Sequence, residues 1–313
     1  RGILTDFMNI LFAGTPGPSG KILEYLAISS AYEVKGVITQ PDKPQKRGNK
    51  ILQSSVSKIS QNYGFPVFKP TNLNDPDFIK NIEGIDFDFL IVAAYGKIIP
   101  NWLLNAPNKM PINIHYSILP FYRGASPIQT SLLNGDNISG VTFMEMSEGL
   151  DEGKIIKVFT LDIIEAHNKA SLENDLCDLA IKNMDDVFGL VFSDKILLNA
   201  QDEASASYCS KIKKSDSIIN FTENADEIIN KYRAYSEWPG LAFMHKDVMV
   251  KIHGMDLYHE DLPGTSGAIV RFDKTGIYFK TSSGTIVITY LQLPNKNKIS
   301  SADAYNSYRE FFV

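Results

Sequence analysis

Short apolar runs alternate with amphipathic helical patterns through the first half of the chain, and this alternation limits its folding more than any other feature. Residues 10–13 read as a strand, 21–27 as an amphipathic helix, 34–39 as a second strand and 54–63 as a second helix. Strand, helix, strand at this spacing predicts βαβ units and a parallel sheet, because each crossover helix must cover a sheet face. The most apolar run, 89–94, and the run 112–117 are expected at the centre of that sheet, where both faces are covered. Strands at 141–146 and 155–161 follow, then one long helix over 171–192 with Ser171 as N-cap, closing the first domain.

Residues 199–210 are rich in Ala, Ser, Gln, Asp and Glu and show no period, which is linker composition. Beyond them, short strands are expected at 243–244, 248–253, 268–272, 276–281 and 286–293, separated by Gly, Asp and Lys turns. That spacing predicts a small barrel or sandwich, with an OB-like barrel as the leading expectation. The expected fold is therefore α/β, with a Rossmann-like, mostly parallel sheet in an N-terminal domain (8–198), a linker (199–210) and a small C-terminal β-barrel (211–313). At 313 residues and 44% hydrophobic content the chain has apolar mass for two cores.

A net charge of -5 argues against a surface that attracts nucleic acid everywhere, so any such contact must be local. The two cysteines, Cys177 and Cys209, are isolated, which fits buried spectator thiols in a reducing compartment. No apolar run approaches the roughly 18 residues of a membrane span, and no basic segment leads into a long apolar stretch. A cytoplasmic protein with no membrane partner is expected. Residues 1–7 precede the first strand and are left out of the functional reading.

The turn Gly14-Thr15-Pro16-Gly17-Pro18-Ser19-Gly20-Lys21 lies between a strand and a helix, where phosphate-binding loops occur. Five residues separate Gly14 from Gly20 and Ile22 follows Lys21, which breaks the Walker pattern; the G-x-x-G-x-x-G spacing breaks the dinucleotide fingerprint. A structural turn is the better reading. The loop 41–50 carries Lys43, Lys46, Arg47 and Lys50 around Gly48. It reads equally as a solvated charged loop or, beyond a strand's carboxyl end, as a phosphate contact.

The strongest chemistry lies in Ile112-Asn113-Ile114-His115-Tyr116-Ser117. In a strand, Asn113, His115 and Ser117 share one face and the three intervening residues the other. Three polar side chains inside an α/β sheet cost stability unless they are satisfied, so a site that uses them is inferred. Asp151, in Gly149-Leu150-Asp151-Glu152-Gly153, sits in a glycine-bracketed turn that can bring a carboxylate over the sheet edge. Taken alone it reads as a turn residue, and Glu148 and Glu152 compete for the same role. His167, His245, His253 and His259 lack metal-ligand spacing, so no metal is assigned, and no Gly-x-Ser-x-Gly or cysteine nucleophile context supports an acyl-enzyme.

In order along nearly its whole length the chain resembles the methionyl-tRNA formyltransferase family. The resemblance runs through residues 10–16, Gln40-Pro41-Asp42-Lys43-Pro44 with Arg47-Gly48, Ala93-Ala94-Tyr95-Gly96 and Asn113-Ile114-His115. It continues through Ser117-Ile118-Leu119-Pro120, Tyr122-Arg123-Gly124-Ala125 with Pro127-Ile128-Gln129, residues 149–153, Arg233-Ala234-Tyr235 with Trp238-Pro239, and 306–310. Tyr116 stands where the family usually has Gly, and Ile118 where it has Leu.

The resemblance implies a catalytic trio of Asn113, His115 and Asp151 around the formyl carbon of 10-formyltetrahydrofolate. It implies a carrier site formed by Ser117, Ile118, Leu119 and Pro120 with Tyr95 and Gly96, and contacts from Lys43, Lys46, Arg47 and Lys50 to initiator methionyl-tRNA. The implied reaction is attack by the methionyl α-amine on the formyl carbon through an oxyanion, by a monomer serving translation initiation. Two rivals remain: a folate-dependent formyltransferase acting on an amino sugar or other small amine, and a non-catalytic tRNA-binding protein. Residues 211–313 hold 13 Lys or Arg against 12 Asp or Glu, so their bulk charge gives the second rival no support. A nicotinamide oxidoreductase would need the dinucleotide fingerprint that residues 14–20 lack.

Overall fold

A computed structural model describes residues 7–44 and 51–313. Strands β1 (Met8–Gly14), β2 (Tyr32–Ile38), β3 (Val67–Phe68), β4 (Phe89–Ala93), β5 (Met110–His115), β6 (Ile138–Glu145) and β7 (Ile155–Asp162) form one sheet in the order β7-β6-β5-β4-β1-β2-β3. The five strands from β5 to β3 are mutually parallel; β6 runs antiparallel to β5, and β7 antiparallel to β6. The chain reverses its direction of growth at β1, which lies between β2 and β4, and open α/β sheets bind ligands beyond the carboxyl ends of strands beside such a point.

Both early helices read from the sequence form, and two short ones join them. The first, α1 (Gly17–Ile28), starts within the glycine-rich turn, with Pro18 in its first turn. Gly14 is there for packing: a Cβ on it would stand 2.7 Å from the Ser19 Cβ and 2.9 Å from the Ala93 carbonyl. The second, α2 (Ser55–Tyr63), is capped by Ser54, whose side chain accepts from the Ser57 amide, and ends on Gly64 at φ +72°. In α3 (Pro76–Glu83), Asp75 caps two amides, and α4 (Asn101–Leu104) follows Pro100.

The central strands are covered on both faces. Leu11, Ala13, Leu90 and Val92 pack with Phe78, Ile82 and Leu103 in one cluster. Alternate residues face the other way, where Phe188 of the long helix packs between Phe89 and Phe143, ring centroids 5.7 and 6.1 Å apart. That helix, Lys169–Phe192, begins two residues earlier than expected. Asn168 is the residue that caps it: its side chain accepts from the amides of Ala170 and Ser171, while the Ser171 hydroxyl accepts from the Asn168 amide. Both residues are cap formers, so Ser171 looked sufficient from the sequence.

Two compact units divide the chain. One comprises the described residues up to Ala125 with Ile138–Asp162 and Glu173–Cys209; the other comprises Ser126–Asn137, Ile163–Leu172 and Ser210–Val313. In the second unit, β8 (Leu241–His245), β9 (Val248–Tyr258), β10 (Ile269–Asp273), β11 (Gly276–Lys280) and β12 (Thr285–Gln292) make an antiparallel sheet in the order β8-β9-β12-β11-β10. All five expected strands are present, the first two longer than expected and the other three within one residue of their expected bounds, and the sheet fits a small barrel. A helix over Ala225–Ala234, opened by a reciprocal Asn224–Glu227 cap, and a last helix over Ser301–Phe312 complete the unit. Phe221, Phe243 and Phe279 form its aromatic centre. Among the described residues no helix is long and apolar enough to cross a membrane.

Candidate active site

The site lies at the carboxyl end of β5. Asn113 and His115 are two residues apart on this strand and share a face, while Ile112 and Ile114 are buried on the other. Asn113 is paired with β4 on one side and β6 on the other, and His115 with β6, which fixes their backbone. The strand ends at His115, so Ser117 lies beyond it, where the expected three-residue polar face does not extend.

Asp151 reaches the same place from the connection between β6 and β7. Its Oδ1 accepts from the Asn113 amide at 3.2 Å and its Oδ2 from the Gly124 backbone amide at 2.8 Å. His115 Nδ1 stands 3.7 Å from the same Oδ2, beyond hydrogen-bond length but close enough for a charge pair when the ring is protonated. His115 Nε2 lies 3.0 Å from the Tyr122 carbonyl, which can only accept, so Nε2 carries a hydrogen. The three side chains are therefore held together, with the imidazole 6% exposed. Asn113 has a second amide hydrogen left to offer.

Asp151 has a left-handed backbone at φ +55°, a conformation that costs a non-glycine residue about 1–3 kcal/mol and persists only where its surroundings enforce it. Gly153 closes the turn against the Glu145 carbonyl, which a Cβ would overlap. Glu148 bonds the Asn101 amide and Glu152 accepts from the Tyr208 hydroxyl at 3.3 Å, so neither competing carboxylate enters the group around His115.

The segment after His115 is pinned by Thr142, whose hydroxyl donates to the Ser117 carbonyl at 2.7 Å and accepts from the Leu119 amide at 3.1 Å. Ser117 and Leu119 are buried, and the Ser117 hydroxyl donates to the Phe121 carbonyl at 2.6 Å; Ile118 and Pro120 are half-buried. Tyr116 is buried beside Cys177, and burial raises its hydroxyl well above the usual tyrosine value.

Tyr95 and Gly96 follow β4 at the same sheet edge. The Tyr95 carbonyl accepts from Gln40 at 2.8 Å; its hydroxyl is buried without a hydrogen-bond partner, and burial pushes it up to about 12. Gly96 is exposed at φ +79°, where a Cβ would come within 2.9 Å of the Gln40 amide nitrogen. Of the basic loop, Lys43 starts a two-residue strand paired with Ile51–Leu52, while Lys46, Arg47 and Lys50 lie outside the described residues. Among the described residues no three His, Cys, Asp or Glu side chains gather as a metal site would require.

Sequence reasoning gave no role to Arg123, which is fully buried. Its guanidinium makes paired bonds to Glu203 at 2.7 and 2.9 Å, one to Gln201 at 3.0 Å and one to the Tyr208 hydroxyl at 3.1 Å. The bond to Glu203 holds Arg123 in its charged form, and Arg123 in turn holds the Glu203 carboxyl below its usual value. Residues Tyr208–Cys209 pair in parallel with Arg123–Gly124. The one signal available was the Tyr-Arg-Gly run next to the polar strand.

Comparison with known proteins agrees with this picture. The Formyl transferase profile matches residues 8–187, and the profile of the Formyl transferase C-terminal domain matches 211–309. A methionyl-tRNA formyltransferase from a Sulfurihydrogenibium species is 36% identical over 304 residues, covering 96% of this chain and 97% of its own. Among solved structures, an N-formyltransferase from Helicobacter canadensis, complexed with folinic acid and dTDP-3-aminofucose, has a TM-score of 0.69 at 20% identity, over 90% of this chain and 99% of its own. HypX from Aquifex aeolicus, complexed with tetrahydrofolic acid, has a TM-score of 0.63 at 17% identity over 96% of this chain, which spans 47% of HypX. These two structures share the fold. The profiles and the near full-length relative go further: the chain belongs to the formyl transferase family.

Proposed function

We propose that this enzyme moves the formyl group of 10-formyltetrahydrofolate to the α-amine of methionine on initiator methionyl-tRNA. The observation that carries the reading is the convergence of Asn113, His115 and one Asp151 carboxylate at the carboxyl end of a central strand. The 36% identical relative, named for that reaction, supports the acceptor.

In this reading the amine attacks the formyl carbon while the second amide hydrogen of Asn113 and His115 stabilise the oxyanion. A single donor of this kind contributes about 2.7–4 kcal/mol in other enzymes. Asp151 takes the proton lost by the amine, directly or through water, and His115 delivers one to the departing folate nitrogen. Free α-amines titrate near 7.7–8.0, so the attacking amine needs little activation and positioning is the larger task.

Tyr95 and Gly96 with Ile118 and Pro120 line the carrier side, and Ser117 and Leu119 shape that segment from beneath. The unpartnered Tyr95 hydroxyl and the exposed Gly96 backbone support this placement. Lys43, Lys46, Arg47 and Lys50 contact tRNA phosphates. The catalytic domain spans 8–198, the connection 199–210 and the barrel domain 211–313. The enzyme acts as a cytoplasmic monomer without a metal.

Incubation with 10-formyltetrahydrofolate and charged initiator tRNA, read by mass spectrometry, tests the reading against a parallel reaction with dTDP-amino sugars. Formyl-methionine is expected only on the tRNA; formylated sugar with unmodified tRNA would reverse the assignment.

A further inference from the structure

We propose that Gln201 is a positioning residue that holds Asp151 in its working geometry, so that the 199–209 segment is part of the active-site framework and not only a connection. This rests on Asp151 being the proton acceptor in the transfer step. The Gln201 amide nitrogen donates to the carbonyls of both Asp151, at 2.8 Å, and Gly153, at 2.7 Å, spanning Glu152 between them. Its oxygen accepts from Arg123 Nε at 3.0 Å. Both amide hydrogens and the oxygen are thus used, and rotating the amide by half a turn would set oxygen against two carbonyls and nitrogen against an N–H.

The far end of this bridge is itself fixed. Arg123 is fully buried, and three of its four remaining N–H groups go to Glu203 and Tyr208. The next residue, Gly124, donates its amide to Asp151 Oδ2 at 2.8 Å. Asp151 is therefore gripped twice from one anchor: at its carboxylate by the Gly124 amide, and at its carbonyl by Gln201. The grip falls on a residue whose backbone sits at φ +55° in a turn bracketed by Gly149 and Gly153, where local conformational preference alone would not hold one geometry. Release of the carbonyl lets that turn relax and carries the carboxylate away from Asn113 and His115, and a displacement of about 1 Å at a reacting group costs on the order of 100-fold in rate.

The test is a double-mutant cycle on the full-length enzyme. Gln201→Leu removes the bridge, and Gln201→Glu keeps the acceptor for Arg123 while losing both donors. Each should lower kcat by roughly 10- to 100-fold with KM for both substrates within about twofold of the parent. In an Asp151→Asn background, where the carboxylate is already lost, Gln201→Leu should cost no further rate. If Gln201→Leu fails to fold, Gln201→Glu carries the same cycle. Full kcat in a folded Gln201 variant, or an equal loss with and without the Asp151 carboxylate, would overturn the proposal while leaving Asp151 as the proton acceptor. Full activity in Asp151→Asn alone would instead remove that role, and the proposal with it.

Discussion

The two halves of the candidate active site are held by opposite means. Asn113 and His115 stand on a strand paired on both sides up to Asn113 and with β6 at His115, so their placement follows from the sheet ladder and the two-residue period. Asp151 stands on a turn between two glycines, in a backbone conformation it would not choose alone, and is held by bonds from Gly124 and Gln201, 27 and 50 residues away. A site can thus combine a rigid half, given by secondary structure, with a clamped half, given by side chains distant in sequence. The first should tolerate changes around it, and the second should be sensitive to its clamps.

This contrast can be broken or sharpened by substitution, beginning with the largest expected effect. His115→Ala should lower kcat about 10³-fold with little change in melting temperature, since in the proposed mechanism it removes both an oxyanion contact and a proton donor from an intact strand. Asn113→Ala should cost about 10²-fold in kcat, the value of one oxyanion donor, as read by steady-state formylation. Arg123→Leu should destabilise the first unit by about 3 kcal/mol in urea unfolding, because Gln201, Glu203 and Tyr208 lose a shared partner; a stability near that of the parent would mean that the clamped half needs no buried anchor. Arg47→Ala should raise KM for tRNA and reduce the steepness of its salt dependence by about one phosphate contact, leaving kcat unchanged. Asn168→Ala should cost only about 1 kcal/mol of stability, the loss of one helix cap outside the site.

What could be read from the sequence divides along the same line. Period and punctuation revealed the parallel sheet, the five C-terminal strands and the shared face of Asn113 and His115, because each depends on neighbours within a few residues. Asp151 was visible as a carboxylate between glycines, but the family resemblance was needed to connect it with β5. Gln201 and Arg123 were not readable as parts of the site: their partners lie 48 to 85 residues away, and no local pattern marks a bond of that reach. The composition of 199–210 pointed to a plain connection because polar residues that bridge buried backbone look like polar residues that face water. The start of the long helix was misjudged for a smaller reason, since Asn168 and Ser171 cap each other and either alone is a good cap.

The most direct test of the active-site assignment is single-turnover formyl transfer by Asp151→Asn, with 10-formyltetrahydrofolate and charged initiator tRNA both saturating and their binding measured separately. Unchanged dissociation constants with a transfer rate about 10³-fold below the parent are expected, because the turn would stay in place while its carboxylate base is gone. A transfer rate equal to the parent's would contradict the assignment of Asp151, with Asn113 and His115, as the reaction centre.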